Sequence, residues 1–372
     1  MKNVSLRHLS LSHFRSHKSA NLDIGDKPIA IYGANGAGKT NILEAVSMLS
    51  PGRGLRRAKT EELMRQPDAI GWKIGALVDT GADPIELETR YDGEGPRNVS
   101  IDGKSASQTA LGKILRIVWL VPVMDRLWVE SATGRRRFLD RLALSFEPEH
   151  AVLSTQYERA MRERNRLLKD GVSDPAWYRA IEDQMAQAGS VIEANRLTTI
   201  SKLHQAQENA DTEFPFADLE LVGPDMTPIE TNAEGLRERL EHSRQRCLAA
   251  GRSLVGPHRD DLNAVFRAKN LAAAQCSTGE QKALLVSLIL SNARALSADA
   301  GTTPIILLDE VGAHLDENRR AALYDEICAL GAQVWMTATD FALYDALGSR
   351  ADYIEVREGA QGSILEMKTL NQ

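Results

Sequence analysis

Pro28-Ile29-Ala30-Ile31-Tyr32-Gly33-Ala34-Asn35-Gly36-Ala37-Gly38-Lys39-Thr40-Asn41-Ile42-Leu43 decides the fold of this chain. The first five residues read as a short apolar strand. Gly33 to Thr40 fit the pattern G-x-x-x-x-G-K-[ST]. Ile42, Leu43, Val46 and Leu49 then fall at helical spacing. Strand, glycine-rich loop and helix, in that order, are the context a phosphate-binding loop needs. Its glycines let backbone N–H groups converge on phosphate oxygens, and the helix opening near Lys39 points its positive end at them. The expectation is an ATP site in which Gly33, Ala34, Asn35, Gly36, Ala37 and Gly38 cradle the phosphates. Lys39 reaches the β- and γ-phosphates as a catalytic cation, and the Thr40 hydroxyl ligates Mg2+.

Working outward, Ile305-Ile306-Leu307-Leu308-Asp309-Glu310 is an apolar strand ending in two carboxylates. Asp309 stands at the strand's C-terminal edge and is expected on Mg2+. Glu310 points differently and is the expected general base for an attacking water. Ser277-Thr278-Gly279-Glu280-Gln281 opens a helical stretch through Leu290, and donors at such a helix start suit a γ-phosphate. A helix over 317–330 and a strand over 333–337 follow. Alternating strands and helices predict an α/β sheet.

More than half of the chain separates Thr40 from Ser277, too much for a loop, so a domain is inserted. Asp174-Pro175 is a helix start, and Trp177, Ile181, Met185, Ala188 and Ile192 continue it for about 30 residues at three-and-four spacing. A second helix over 148–169 precedes it. The expected organisation is a head from 1–125 together with 255–372, and a helical arm over 126–254.

Bulk properties narrow the function. A 372-residue chain exceeds the usual size of one core. Its net charge of −6 supplies no global pull toward nucleic acid or anionic lipid, so any DNA contact must be local. Cys247, Cys276 and Cys328 have neither disulfide nor metal spacing, as suits a reducing cytosol. The first 21 residues alternate and carry charge, without a leader pattern. A cytoplasmic protein without a membrane span is expected.

Several blocks carry a resemblance. Ser277 to Gln281 resemble the signature loop of ABC-type ATPases, and Ala313-His314-Leu315-Asp316 resemble their D-loop, which makes Asp316 a nucleotide-side residue. Phe14-Arg15-Ser16-His17 resembles the opening of SMC-like repair ATPases. Asn35 to Ala45 followed by Leu49-Ser50-Pro51-Gly52-Arg53, Arg135 to Asp140, Gly256 to Leu262, and Ser277 to Leu285 are together similar to the RecF family. That resemblance implies an SMC-like ABC-type head with a short helical arm. In the ABC class one protomer's signature, here Ser277 and Gly279, closes over ATP held by the other. It further implies an ATP-dependent homodimer on gapped or junction DNA, weak DNA-stimulated hydrolysis, and work with RecR, RecO and RecA in recombination, replication and the SOS response.

Two alternatives fit the sequence less well. A transporter's nucleotide-binding subunit needs a shorter gap, a Q-loop glutamine and a switch histidine; Thr339 stands where that histidine falls. Another SMC-like repair ATPase would need an acidic metal cluster or a partner-binding tip, and neither is legible. His258-Arg259-Asp260 is no kinase loop, because Val265 occupies the required asparagine position. The best-placed DNA contacts are Arg53, Arg56, Arg57 and Lys59, just past the phosphate-loop helix. Arg135, Arg136, Arg137 and Arg141, then Arg159, Arg162, Arg164, Arg166 and Lys169, are further candidates for phosphate neutralisation.

Overall fold

The computed structural model describes residues 4–224, 229 and 231–368. The chain divides into two compact units: Met1–Asp125 with Asn209–Pro215 and Thr278–Gln372, and Arg126–Glu208 with Phe216–Ser277.

The first unit holds two sheets. One is antiparallel, built from β1 (Ser5–Phe14), β2 (His17–Asp23), β4 (Trp72–Asp79), β5 (Ile85–Tyr91), β6 (Asn98–Ile101) and β7 (Lys104–Ala106) in the order β2-β1-β4-β5-β6-β7. β4 alternates buried and outward residues along its length, as a one-sided sheet demands. The other sheet has the order β15-β14-β3-β13-β12-β8. Its strands are β3 (Ile29–Tyr32), β8 (Ile117–Leu120), β12 (Ile305–Asp309), β13 (Val334–Ala338), β14 (Asp352–Gly359) and β15 (Gly362–Lys368). All neighbouring pairs are parallel except β14 with β15. β12 and β13 are buried at every position, which is why they read as unbroken apolar runs.

Helix α1 (Lys39–Ser47) follows the loop after β3. Its Ile42, Leu43, Ala45 and Val46 join Leu9, Leu11, Ile74 and Val78 of the antiparallel sheet in one core with Ile31, Leu307 and Trp335 of the parallel sheet. Short α2 (Leu111–Ile114) precedes β8. The helix expected through Leu290 continues as α8 (Thr278–Ala300), because its apolar residues extend past that point. α9 (Glu317–Leu330) has the expected limits.

The second unit contains α3 (Ala132–Phe146), α4 (His150–Lys169), α5 (Pro175–Glu208), α6 (Ala233–His242) and α7 (Arg244–Ala250). Asp174 accepts the Ala176 N–H at 2.9 Å at the head of α5. The unit also carries the sheet β11-β10-β9, from β9 (Ala217–Val222), β10 (Asp261–Phe266) and β11 (Leu271–Ala272). β10 pairs along its whole length with β9, which keeps 255–277 in this unit and beyond the expected arm limit of 254.

Candidate functional site

The parallel register builds the site. Asp309 lies beside Thr337, and Ala338 beside Tyr32, so β12, β13 and β3 end level with one another. The loops leaving such C-terminal edges are where open α/β sheets bind ligands. Gly33 to Gly38 form one of them. Gly33 has φ 148°, and a Cβ there would fall 2.1 Å from the Val356 carbonyl oxygen, so glycine is required. At Gly38, φ 107°, a Cβ would meet Ser363 Oγ at 2.3 Å. The Ser363 hydroxyl donates to the Ala37 carbonyl at 2.6 Å, so the β14–β15 hairpin props the loop.

Lys39, the first residue of α1, is buried, and its Nζ donates to the carbonyls of Gly33 at 2.8 Å and Ala34 at 2.9 Å. Burial pushes its pKa below the ordinary lysine value, while Glu310 and Asp309 pull it back up. The Thr40 hydroxyl donates to Asp309 Oδ1 at 2.8 Å. Thr337 donates to the same oxygen at 2.7 Å and accepts the Glu310 N–H at 3.0 Å. Glu310 itself adopts a left-handed backbone, φ 54° and ψ 22°. The structure therefore assembles Lys39, Thr40, Asp309 and Glu310 around one sheet edge. A hydroxyl and a carboxylate joined there form the hard-oxygen donor set that Mg2+ takes.

The remaining expected residues sit elsewhere. Ser277 and Thr278 are exposed at the start of α8. Asp316 caps α9, its Oδ1 accepting the Arg319 N–H at 2.9 Å. The side chain of His314 lies outside the described ones. Thr339 is exposed just past β13, whereas Thr337 faces inward.

The basic clusters need correction. Arg53, Arg56, Arg57 and Lys59 are all exposed, and Arg56 also donates to Asn41 Oδ1 at 2.8 Å and lies 3.4 Å from Glu44. Glu44 is fully buried on α1 and receives a two-pronged pair from Arg15 at 2.8 and 2.9 Å. Arg135 is engaged with Asp261 at 2.7 and 2.8 Å, and Arg136 with the Asp260 carbonyl at 2.5 Å. Arg164 is fully buried against Glu182 at 3.0 Å, so it is no DNA contact. Its neighbours Tyr157, Ala160 and Leu168 are buried at the same helical spacing, a signal that would have placed it inward. Gly256, Pro257, Asp260 and Leu262 are buried in the second unit, where Asp260 lies 3.2 Å from Arg196 and the neighbouring His258 pairs with Tyr157. The Arg15–Glu44 pair and the contacts of Ser363 and Thr337 are not legible in the sequence, although Arg15 and Glu44 each lie in a block that carries the resemblance.

This arrangement, a phosphate loop off β3, carboxylates at the end of β12 and a unit inserted ahead of α8, is that of ABC-type, SMC-like ATPase heads. Residues 5–347 match the family described as RecF/RecN/SMC N terminal domain. The fold also resembles an Smc head domain of Pyrococcus furiosus, with TM-score 0.58 at 17% identity over 99% of this chain and 97% of that one. The chain belongs to the RecF family. It is 45% identical over 366 residues, 96% of its length, to the DNA replication and repair protein RecF of Rhizobium etli, covering 98% of that protein. A solved structure of the recombination mediator protein RecF with ATP, of the RecFOR pathway, has the same fold, with TM-score 0.84 at 23% identity over 99% of this chain and 98% of that one.

Proposed function

We propose that this chain is an ATP-controlled DNA clamp of replication and recombinational gap repair. The observation that carries the reading is the Thr40–Asp309 bond, which brings the end of the phosphate loop to the acidic strand end. ATP phosphates would lie on the backbone N–H groups of Gly33 to Thr40, with Lys39 turning from the loop carbonyls to the phosphate oxygens. Thr40 and Asp309 would hold Mg2+, which neutralises charge on the phosphates when bound. Glu310 accepts the proton of the attacking water. The new P–O bond forms as the bond to the β–γ bridging oxygen breaks, giving ADP and phosphate.

The exposed Ser277 and Thr278, with half-buried Gly279, of one copy would cap the triphosphate held by a second copy, so ATP closes a homodimer and hydrolysis releases it. Exposed Ser277 and Thr278 at a helix start support that capping role. Gapped or single-strand/duplex junction DNA is the proposed substrate. RecO and RecR are the proposed partners, in keeping with the RecFOR pathway of the RecF–ATP structure, and RecA is proposed from the family resemblance. Among the described residues no helix is long and apolar enough to cross a membrane.

Sedimentation of the full chain with and without Mg-ATP, on gapped and on blunt duplex, tests the reading. A dimer that needs ATP and prefers the gap is expected. A monomer at saturating Mg-ATP on gapped DNA would overturn it.

A further inference from the structure

The acidic strand end is held by a residue outside every recognised motif. Thr337 lies on β13 directly beside Asp309 and is 2% exposed. A threonine hydroxyl has one proton to give. Here it goes to Asp309 Oδ1 at 2.7 Å, and the oxygen accepts the Glu310 N–H at 3.0 Å. One hydroxyl thus bonds the side chain of the first carboxylate and the backbone of the second.

Both groups need fixing. Asp309 Oδ1 also receives the Thr40 hydroxyl at 2.8 Å, so its orientation sets where Thr40 and Asp309 can share an ion. Glu310 occupies the left-handed region at φ 54°, which a residue with a side chain adopts only where its surroundings impose it. The Thr337 bond is the restraint at that peptide. Thr339, two residues on, is exposed.

We infer that Thr337 is a positioning residue for hydrolysis: its hydroxyl locks the Asp309 carboxylate and the Glu310 turn into one frame. It acts through these two residues. The inference rests on the ATPase reading above, and it assigns to Thr337 the rate of the chemical step rather than the grip on nucleotide.

The test compares Thr337→Val, which keeps the branched shape and removes the oxygen, with Thr337→Ser, which keeps the oxygen and removes the methyl. Full-length proteins are assayed for ATP affinity with and without Mg2+, for steady-state kcat, and for thermal midpoint without nucleotide. The expected result for T337V is a kcat at least tenfold lower, Mg2+-free ATP affinity within threefold of the parent, and a smaller gain in affinity on adding Mg2+. T337S should keep kcat within threefold. A parent-like kcat in T337V would overturn the inference. So would a T337S as slow as T337V, because the methyl and not the hydroxyl would then matter. Equal losses of affinity and kcat would also overturn it. If T337V does not yield folded protein, Thr337→Cys, of similar volume with a weaker donor, takes its place under the same outcomes. A parent chain that neither binds nor hydrolyses ATP would instead sink the ATPase reading, so the two failures are distinguishable.

Discussion

The Thr40 hydroxyl donates to Asp309 Oδ1 at 2.8 Å across 269 residues of sequence. Nothing local brings them together. The contact follows from the parallel order β3-β13-β12, which ends three strands level and lets the phosphate-loop helix start beside the acidic pair. Asp309→Asn keeps the size but removes the charge that an ion would need. The expected outcome is ATP affinity that no longer responds to Mg2+ and hydrolysis lower by on the order of 100-fold. Titration of ATP with and without Mg2+ checks it; a retained Mg2+ response would remove Asp309 from the site.

Glu310→Gln tests the base. The amide keeps the shape of the side chain but accepts no proton, so binding should survive while turnover falls by about 100- to 10,000-fold. ATP bound without release should shift the chain toward its assembled state. Light scattering with saturating Mg-ATP should then show a persistent dimer. Turnover close to that of the parent would assign the base elsewhere.

The buried Glu44 carboxylate makes Arg15 a stability residue rather than a surface cation. Among the described residues, Arg15→Ala leaves that charge with only the 3.4 Å contact to Arg56. Breaking a buried pair by removing one partner costs about 3–5 kcal/mol, and the remaining Arg56 contact places this loss near the lower end. Replacing both partners by apolar residues, Arg15→Met with Glu44→Leu, should recover most of it. Urea denaturation of the two variants decides; equal losses would mean that Glu44 does work beyond the pair.

The same carboxylate changes how DNA binding has to be probed. Arg56→Glu would set a second acid beside Glu44 and confuse affinity with folding. Arg53→Glu with Lys59→Glu alters exposed cations only. Each lost phosphate contact should reduce the salt slope of DNA binding by about 0.7–0.9. ATP affinity should be unchanged. A salt slope equal to the parent's would place the DNA elsewhere.

What could be read in advance follows from range. The phosphate loop, the acidic strand and α9 announce themselves through residues adjacent in sequence, where the rules of turns and periodicity apply. Thr337 and Glu44 matter through partners brought in by sheet register and helix packing, which no local pattern encodes. The arginines show the difference within one helix. Arg159, Arg162, Arg164 and Arg166 look alike as a charge run, yet only Arg164 shares the stripe of Tyr157, Ala160 and Leu168. Periodicity taken ahead of charge would have separated them.

His258 supplies a pH prediction for the second unit. The Tyr157 hydroxyl lies 2.8 Å from Nδ1, and Nε2 lies 3.1 Å from the Ser253 carbonyl, which can only accept. The Ser253 carbonyl requires a proton on Nε2, so in the neutral ring Nδ1 accepts from Tyr157. Burial pushes its pKa down to about 4, with Arg259, Arg136 and Arg164 adding to the effect. The unfolded chain takes a proton near 6.5 and the folded chain does not. Stability from this group is thus present above about pH 6.5 and lost as pH falls toward 4. Asp260 works the other way: burial raises it to about 6, so it favours the folded state as pH falls below that value. Comparing the parent with His258→Gln isolates the histidine, since Asp260 is common to both. Between pH 7 and 4.5 the parent should lose up to about 2–3 kcal/mol more than the variant. Thermal midpoints measured across that range should converge on acidification, and parallel curves would show that His258 does not titrate with unfolding.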